Sequence, residues 1–127
     1  MENSGKSALG LDANVAAGLA NIPVCGINLI MSIIILVTDK TNKLARFHAF
    51  QSLLLLGAFI VSYIVVFVIV GAAAAAQSGA LTIVGSLLWF VVIIGFLVAW
   101  IVCCIKGFMG QIFKLPVIGN MADNWSN

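Results

Sequence analysis

The sequence predicts an all-α membrane protein with three transmembrane helices, the first of them kinked or broken near Pro23, and an interfacial C-terminal segment. Hydrophobic residues make up 63% of the 127 residues and charged residues only 8%, which is too little charge to cover a soluble domain of this size. In addition, no Lys, Arg, Asp or Glu occurs between Phe47 and Ile105. Spanning segments that hold their charges at the ends produce this pattern. The chain is therefore expected to be a single membrane domain.

The first apolar segment covers about residues 13–37, after a polar arm over residues 1–12. A helix of about 25 residues can cross a ~30 Å hydrocarbon core. Pro23 removes a backbone donor and crowds the preceding turn, so a kink or break is expected there. The alternative is a half-helix over 15–21 joined to a longer helix over 27–37. A cleaved signal peptide is not expected, because Glu2 and Asp12 outweigh the single Lys6 of the arm.

The second and third spans are expected at about 49–76 and 80–105. They are separated only by Gln77, Ser78 and Gly79, so these two helices should be antiparallel neighbours. Gly95 and Ala99 form a small-xxx-small pair on the third span, a spacing that favours close helix packing in membranes. Residues 106–127 are expected to form an interfacial tail on the membrane surface.

The basic residues predict the orientation in the cell membrane. Lys40, Lys43 and Arg46 lie before the second span, and Lys106 and Lys114 follow the third. By the positive-inside rule, the first loop and the C-terminal tail should be cytoplasmic. The four lysines are expected to anchor the chain at lipid headgroups. With three spans the N-terminus lies outside; if the first segment turns back within the membrane, the N-terminus returns to the cytoplasm.

The string Arg46-Phe47-His48-Ala49-Phe50-Gln51-Ser52 is the most informative part of the sequence. On a helix, the i, i+3 and i+4 spacing places His48, Gln51 and Ser52 on one face. Polar groups that enter a membrane helix together point to a partner or a cavity. We therefore expect Arg46, His48, Gln51 and Ser52 to make partner or interhelical contacts. For His48 a structural role is favoured over a proton or ion role, and Arg46 is expected to bind lipid phosphate.

A family resemblance rests on three strings in the same order along the chain. The Arg46–Ser52 string resembles the R-F-H-A-x-Q-S motif of small prokaryotic membrane proteins of unknown function, which are related to the twenty-kilodalton Tic component of chloroplast protein import. The string over 10–17 resembles the G-L-x-x-N-V-A-A opening of that family, and the string over 114–119 resembles its K-L-P-I-I-G close. The stretch over 23–26 departs from the family pattern. The resemblance implies a helical membrane protein and, for the plastid relatives, a role in translocation.

No enzyme, cofactor or metal site is expected. The acidic residues lie in the termini and the first loop, and His48 is the only histidine, so no catalytic set or paired carboxylates can be assembled. Cys25, Cys103 and Cys104 lack metal-ligand spacing. The adjacent pair Cys103-Cys104 could be acylated, but small side chains packed within a helix are the favoured interpretation.

Two functions remain. The favoured one is a non-catalytic accessory subunit of a larger membrane complex, which packs through small-residue helix faces. The alternative is a homo-oligomeric conduit for protein segments or small solutes. The expected partners are the lipid bilayer and other membrane protein subunits, with a homo-oligomer as the alternative; the formal charge of +2 gives no support to nucleic-acid binding. A conduit would have to be lined by the few polar residues inside the spans, which are Asn21, Asn28, Ser32, Ser62, Tyr63, Thr82 and Ser86.

Overall fold

The computed structural model describes residues 5–7, 10–22 and 26–127. This part of the chain forms five α-helices, which confirms the all-α prediction. The helices are α1 (Ala13–Leu19), α2 (Ile27–Thr38), α3 (Lys43–Ala75), α4 (Gly79–Phe108) and α5 (Ile118–Ser126).

The two long helices α3 and α4 form an antiparallel hairpin. They contain 33 and 30 residues, which at 1.5 Å per residue gives lengths of about 50 and 45 Å. Both are long and apolar enough to cross a membrane. The turn between them places Gln77 at a positive φ of 54°, and the Ser78 hydroxyl caps α4 by accepting a hydrogen bond from the backbone N–H of Leu81 at 3.4 Å.

The expected first span over 13–37 is divided into α1 and α2, which agrees with the expected break in this segment; a third transmembrane helix is not shown. These helices have 7 and 12 residues, or about 10 and 18 Å, and neither can cross a ~30 Å core. The alternative of two helices over 15–21 and 27–37 agrees closely with the observed bounds. Gly26 begins α2 at a φ of 72°, a left-handed conformation that a continuous helix cannot contain. Pro23 lies outside the described residues. Two helices of the described chain, not three, are long enough to span.

The short helix α1 packs across the end of α4 because glycines allow the two backbones to approach closely. A Cβ atom added to Gly107 would lie 2.8 Å from the carbonyl carbon and oxygen of Ala17, and one added to Gly18 would collide with the Phe108 ring. The Asn14 side chain also donates a hydrogen bond to the Phe108 carbonyl oxygen at 3.0 Å. These contacts hold α1 against the end of α4.

The C-terminal tail folds back along α3. α4 ends at Phe108, and Gly110 follows its C-cap with a φ of 70°. This conformation allows the N–H of Gln111 to reach the Lys106 carbonyl at 2.9 Å, a glycine-terminated helix end. The chain then runs along the first turns of α3 to α5, where Trp125 packs edge-on against Phe50 with ring centroids 5.9 Å apart. The expected interfacial tail over 106–127 therefore begins inside α4 and continues as a segment packed on the helices.

The molecule consequently has two regions. The packed end comprises α1, the last turns of α2, the first turns of α3, the end of α4 and the tail. The far arm comprises α3 from Gly57 onward and α4 up to Phe96, where the two helices pack mainly on each other through aromatic rings such as Tyr63 and Trp89, whose centroids are 4.5 Å apart.

Candidate functional site

His48 lies fully buried at the centre of the packed end. Its Nε2 lies 2.9 Å from the carbonyl oxygen of Gln111; because a carbonyl can only accept, Nε2 carries the proton. Its Nδ1 then accepts a hydrogen bond from Asn21 Nδ2 at 3.0 Å. The same Asn21 nitrogen also donates to the Ala17 carbonyl at 2.9 Å, which fixes the orientation of the amide. The neutral ring of His48 thus links Asn21, in the segment that follows α1, to the tail.

Gln51 binds the backbone of the tail from one turn further along α3. Its Nε2 donates to the Phe113 carbonyl at 2.9 Å, and its Oε1 accepts from the Leu115 N–H at 3.2 Å. These two bonds satisfy an N–H and a C=O of an extended segment, as a neighbouring strand would. The Nε2 also lies 3.3 Å from Cys103 Sγ on α4. Gln51 therefore joins three parts of the chain.

Arg46 makes contacts within the protein as well. One guanidinium nitrogen donates to the Asp39 carbonyl at 3.0 Å, and Nε donates to the Ser126 carbonyl at 3.5 Å. The guanidinium carbon lies 5.5 Å from the centroid of the Phe50 ring, within cation–π distance. Arg46 thus connects the loop before α3 to the end of α5.

Ser52 shares the buried face of His48 and Gln51 but not their bonds. It is 1% exposed, and its hydroxyl has no hydrogen-bond partner among the described residues. His48, Gln51 and Ser52 are thus all buried, and the first two are bonded to the tail. Asn21 and Gln111, which complete the His48 contacts, were missed as members of the site. Only the placement of Asn21 beside the expected break of the first segment pointed to a structural role.

The lysines expected at lipid headgroups all lie at the packed end, because the start of α3 and the end of α4 are adjacent. Lys43 and Lys114 both pair with Asp123, at 3.1 and 2.7 Å. Hydrogen bonds from Lys114 and then Lys43 hold the pKa of the Asp123 carboxyl below its ordinary value. These two lysines therefore also tie α5 to α3.

The other two lysines contact polar groups at helix ends. Lys40 Nζ donates to the Leu36 carbonyl near the end of α2 at 3.1 Å, where a cation complements the helix dipole. Lys106 Nζ donates to Gln111 Oε1 at 3.0 Å. All four amino groups stand at the same end of the hairpin, which is the arrangement that headgroup anchoring requires; binding to lipid itself stays a prediction.

The arrangement can hold a backbone segment, and the described residues offer little else chemically. In that part of the chain no three His, Cys, Asp or Glu side chains are grouped so that they could hold a metal ion. Cys103 is buried and Cys104 is half-buried, with Cys104 Sγ 3.5 Å from the Gly18 carbonyl; Cys25 lies outside the described residues. The network is thus a clamp for the chain's own tail.

Comparison with known proteins agrees with this description of a small helical membrane protein. A UPF0132 membrane protein of Methanocaldococcus jannaschii is 33% identical over 123 residues, covering 96% of each chain. A second from the same organism is 29% identical over 93% of this chain and 73% of its own length. One from Archaeoglobus fulgidus is 30% identical over 87% of this chain and 91% of its own. No solved structure matches.

The expected resemblance to small prokaryotic membrane proteins of unknown function is confirmed by these relatives. None of the three names mentions chloroplast import, so that part of the resemblance is not supported by them. A family profile also matches residues 8–122, which includes the three sequence strings and every helix except the last residues of α5. The chain therefore belongs to the MamF/MmsF family, described as the magnetosome magnetite crystal formation protein family.

Proposed function

We propose that this chain is an integral membrane protein in which α3 and α4 cross the bilayer, and that it serves as a non-catalytic accessory subunit of a larger membrane complex. The packed end would face the cytoplasm, since it carries five of the six basic residues, and the uncharged turn at Gln77 would face outside. In this arrangement α1 and α2 enter the membrane only partway from the cytoplasmic side. The N-terminus then lies in the cytoplasm.

The observation that carries the proposal is the open small-residue face of α4 at Gly95 and Ala99. A Cβ atom added to Gly95 would meet nothing within 4 Å, whereas one added to Gly107 would meet backbone at 2.8 Å. Gly107 therefore serves packing inside the chain, and Gly95 does not. With Ala99 one turn further, Gly95 leaves a shallow site where the backbone of another helix could approach closely.

The polar motif, by contrast, is occupied within the chain. The side chains of Arg46, His48 and Gln51 bond to the tail and to the loops. A partner that used these groups would have to displace the tail. Packing on the α4 face around Gly95 leaves those bonds in place, with Leu115 and Pro116 of the tail at the border of the same cleft. We therefore assign the partner surface to this face.

A homo-oligomeric conduit, like the one the import resemblance suggests, is the second candidate. Its polar lining would be thin, because Thr82 and Ser86 donate to carbonyls of their own helix at 2.9 Å. Ser32 lies buried against the Ala20 carbonyl at 3.3 Å, and Asn21 is buried beside His48. These contacts favour the accessory subunit over the conduit.

The family description raises a role at a mineral-forming membrane. Carboxylate oxygens are ligands that suit hard metal ions. Asp39 accepts from backbone N–H groups of Thr41 and Asn42, Asp123 pairs with two lysines, and Asp12 is exposed. Among the described residues no three such ligands are grouped, so the proposal rests on helix packing.

Purification of the tagged native protein in a mild detergent, followed by native mass spectrometry, tests the proposal. A complex of fixed stoichiometry with a larger membrane protein is the expected result. Gly95→Leu should release that partner, while Gly57→Leu, at an equally open position on α3, should retain it. A homo-oligomer without any companion would reject the accessory role and favour the conduit.

A further inference from the structure

The helix α5 is packed on the rest of the chain, mainly on α3, through one stripe of its surface. The residues of this buried stripe follow the helical spacing i, i+3 and i+7, and they are Gly119, Ala122 and Ser126. Their side chains are small, so α5 lies close to its neighbours: a Cβ atom added to Gly119 would lie 2.6 Å from the Cα atom of Lys114. The remaining surface of α5 is at least partly exposed.

This exposed surface is divided into an apolar stripe and a polar stripe. Met121 and Trp125 are 38% and 50% exposed, and together with the half-buried Ile118 they form the apolar stripe at the spacing i, i+3 and i+7. The polar stripe lies further round the helix and consists of Asn120, Asp123 and Asn124. Residues at these spacings share a face of an α-helix. α5 therefore has three surfaces, of which one contacts the protein, one is apolar and one is polar.

The position of α5 along the hairpin indicates what meets the apolar stripe. Trp125 packs on Phe50, so α5 lies beside the first turns of α3, at the end of the hairpin where the lysines gather. Ile118 lines a cleft together with Val91 of α4, and Val91 is 67% exposed on a helix that is apolar enough to cross a membrane. The apolar stripe therefore continues the apolar surface of the hairpin toward its basic end.

The boundary between lipid headgroups and acyl chains offers both environments that the exposed side of α5 requires. An amphipathic helix places its apolar side chains about 5–10 Å into this boundary, while its polar side chains stay in water. Tryptophan is enriched at this level because its ring is apolar and its N–H is polar. Lys114, whose side chain is 43% exposed, and the exposed Lys40 supply positive charge for the phosphates of the headgroups. The apolar stripe and the nearby charges thus both fit a lipid surface.

From these observations we infer that α5 docks on lipid, with its apolar stripe in the headgroup–acyl boundary of the leaflet at the packed end and its polar stripe in water. Lipid contact within the tail is then narrower than the sequence suggested, because the segment over 111–115 is bonded to His48 and Gln51 and one face of α5 supplies the contact. The docking of α5 rests on the proposed crossing of the membrane by α3 and α4. It does not depend on the surface around Gly95.

Tryptophan quenching of the full chain in phosphatidylcholine vesicles tests this docking. The chain has three tryptophans, and Trp89→Phe combined with Trp100→Phe leaves Trp125 as the reporter. Lipids brominated near the headgroup end of their acyl chains should reduce its emission about twofold, because the ring lies within about 5–10 Å of the boundary. Acrylamide in the water should have little effect. In the matched control, Asn124→Trp with Trp125→Phe moves the reporter to the polar stripe, where the two responses should be reversed. Equal helix content by circular dichroism shows that the variants are folded.

A second reporter separates this docking from the proposed crossing. Trp89 lies about 15 Å along α4 from Gly79, near the middle of a ~30 Å core, so lipids brominated deep in their chains should quench it when it is the sole tryptophan. If Trp89 is quenched but Trp125 responds to acrylamide, α5 lies in water and only its docking is overturned. A Trp125 that responds to neither quencher is covered by protein, and equal responses at positions 124 and 125 contradict the two stripes; both results would also overturn it. A Trp89 that lipid does not quench would reject the crossing and the docking together.

Discussion

The packed end and the far arm are built from the same two long helices, yet their side chains are used in opposite ways. At the packed end Leu44, Phe47 and His48 are completely buried. On the far arm Phe67 and Val91 are 64% and 67% exposed. Lipid accepts apolar side chains as readily as a protein core does, so the far arm needs no cover. Specific structure arises where polar groups and glycines must be matched, which happens at the packed end.

The largest difference is expected from one substitution made in both regions. Leu44→Ala removes a side chain that packs on Ala13 and Ala17 and should lower the free energy of unfolding by about 3 kcal/mol, as cavities in packed cores do. Leu87→Ala, at a position 60% exposed, should change it by less than about 0.5 kcal/mol. Equilibrium denaturation in mixed micelles measures both. Equal effects would contradict the division into two regions.

Gln51→Leu should have the next largest effect. It leaves the Phe113 carbonyl and the Leu115 N–H without the partners they have now, and the expected loss is about 2 kcal/mol. The tail should also become more sensitive to limited proteolysis. Gln77→Leu, in the exposed turn of the far arm, is the matched control and should leave the tail protected. A protected tail in Gln51→Leu would show that the clamp is not what holds it.

Two glycines of α4, Gly107 and Gly95, allow the two regions to be compared with the same substitution. Gly107→Ala places a methyl group against the backbone of α1 and should destabilise the protein by about 1–2 kcal/mol through overpacking. Gly95→Ala meets open space and should be neutral or slightly stabilising, because alanine favours helix. Thermal unfolding in detergent compares the two variants directly. If Gly95→Ala destabilised the protein and Gly107→Ala did not, the tight backbone packing would lie at Gly95 and the assignment to Gly107 would be wrong.

The smallest effect is expected at the ion pairs of α5. Asp123→Asn should cost about 0.5 kcal/mol, because the pairs with Lys43 and Lys114 are partly exposed. The lowered pKa of Asp123 means that this stabilisation is present above the ordinary pKa of the carboxyl and is lost as the pH falls through the lowered value. The free energy of unfolding is measured across acidic pH at low and high salt. The protein with Asp123 should lose this stabilisation as the pH falls, and Asp123→Asn should show no such loss. An identical acid dependence in both proteins would refute the assignment.

Much of the fold was predicted from the order of the residues along the sequence. The absence of charged residues between Arg46 and Lys106 and the short turn at Gln77 predicted α3 and α4 as a hairpin, since long apolar helices joined by three residues must lie side by side. The spacing of His48 and Gln51 predicted that they lie on one face of the helix. The first segment was harder, because a stretch of about 25 apolar residues has the length of a span whether or not it is continuous.

The sequence by itself determined that this chain consists of helices, that two of them are apolar over membrane-spanning lengths, and that its charges gather at one end. These properties depend on local composition and period. Only the tertiary structure decided that His48 and Gln51 hold the tail, and that α1 packs against Gly107. Those contacts join residues more than sixty positions apart, and their partners are backbone groups, which are the same in every residue and leave no trace in the sequence.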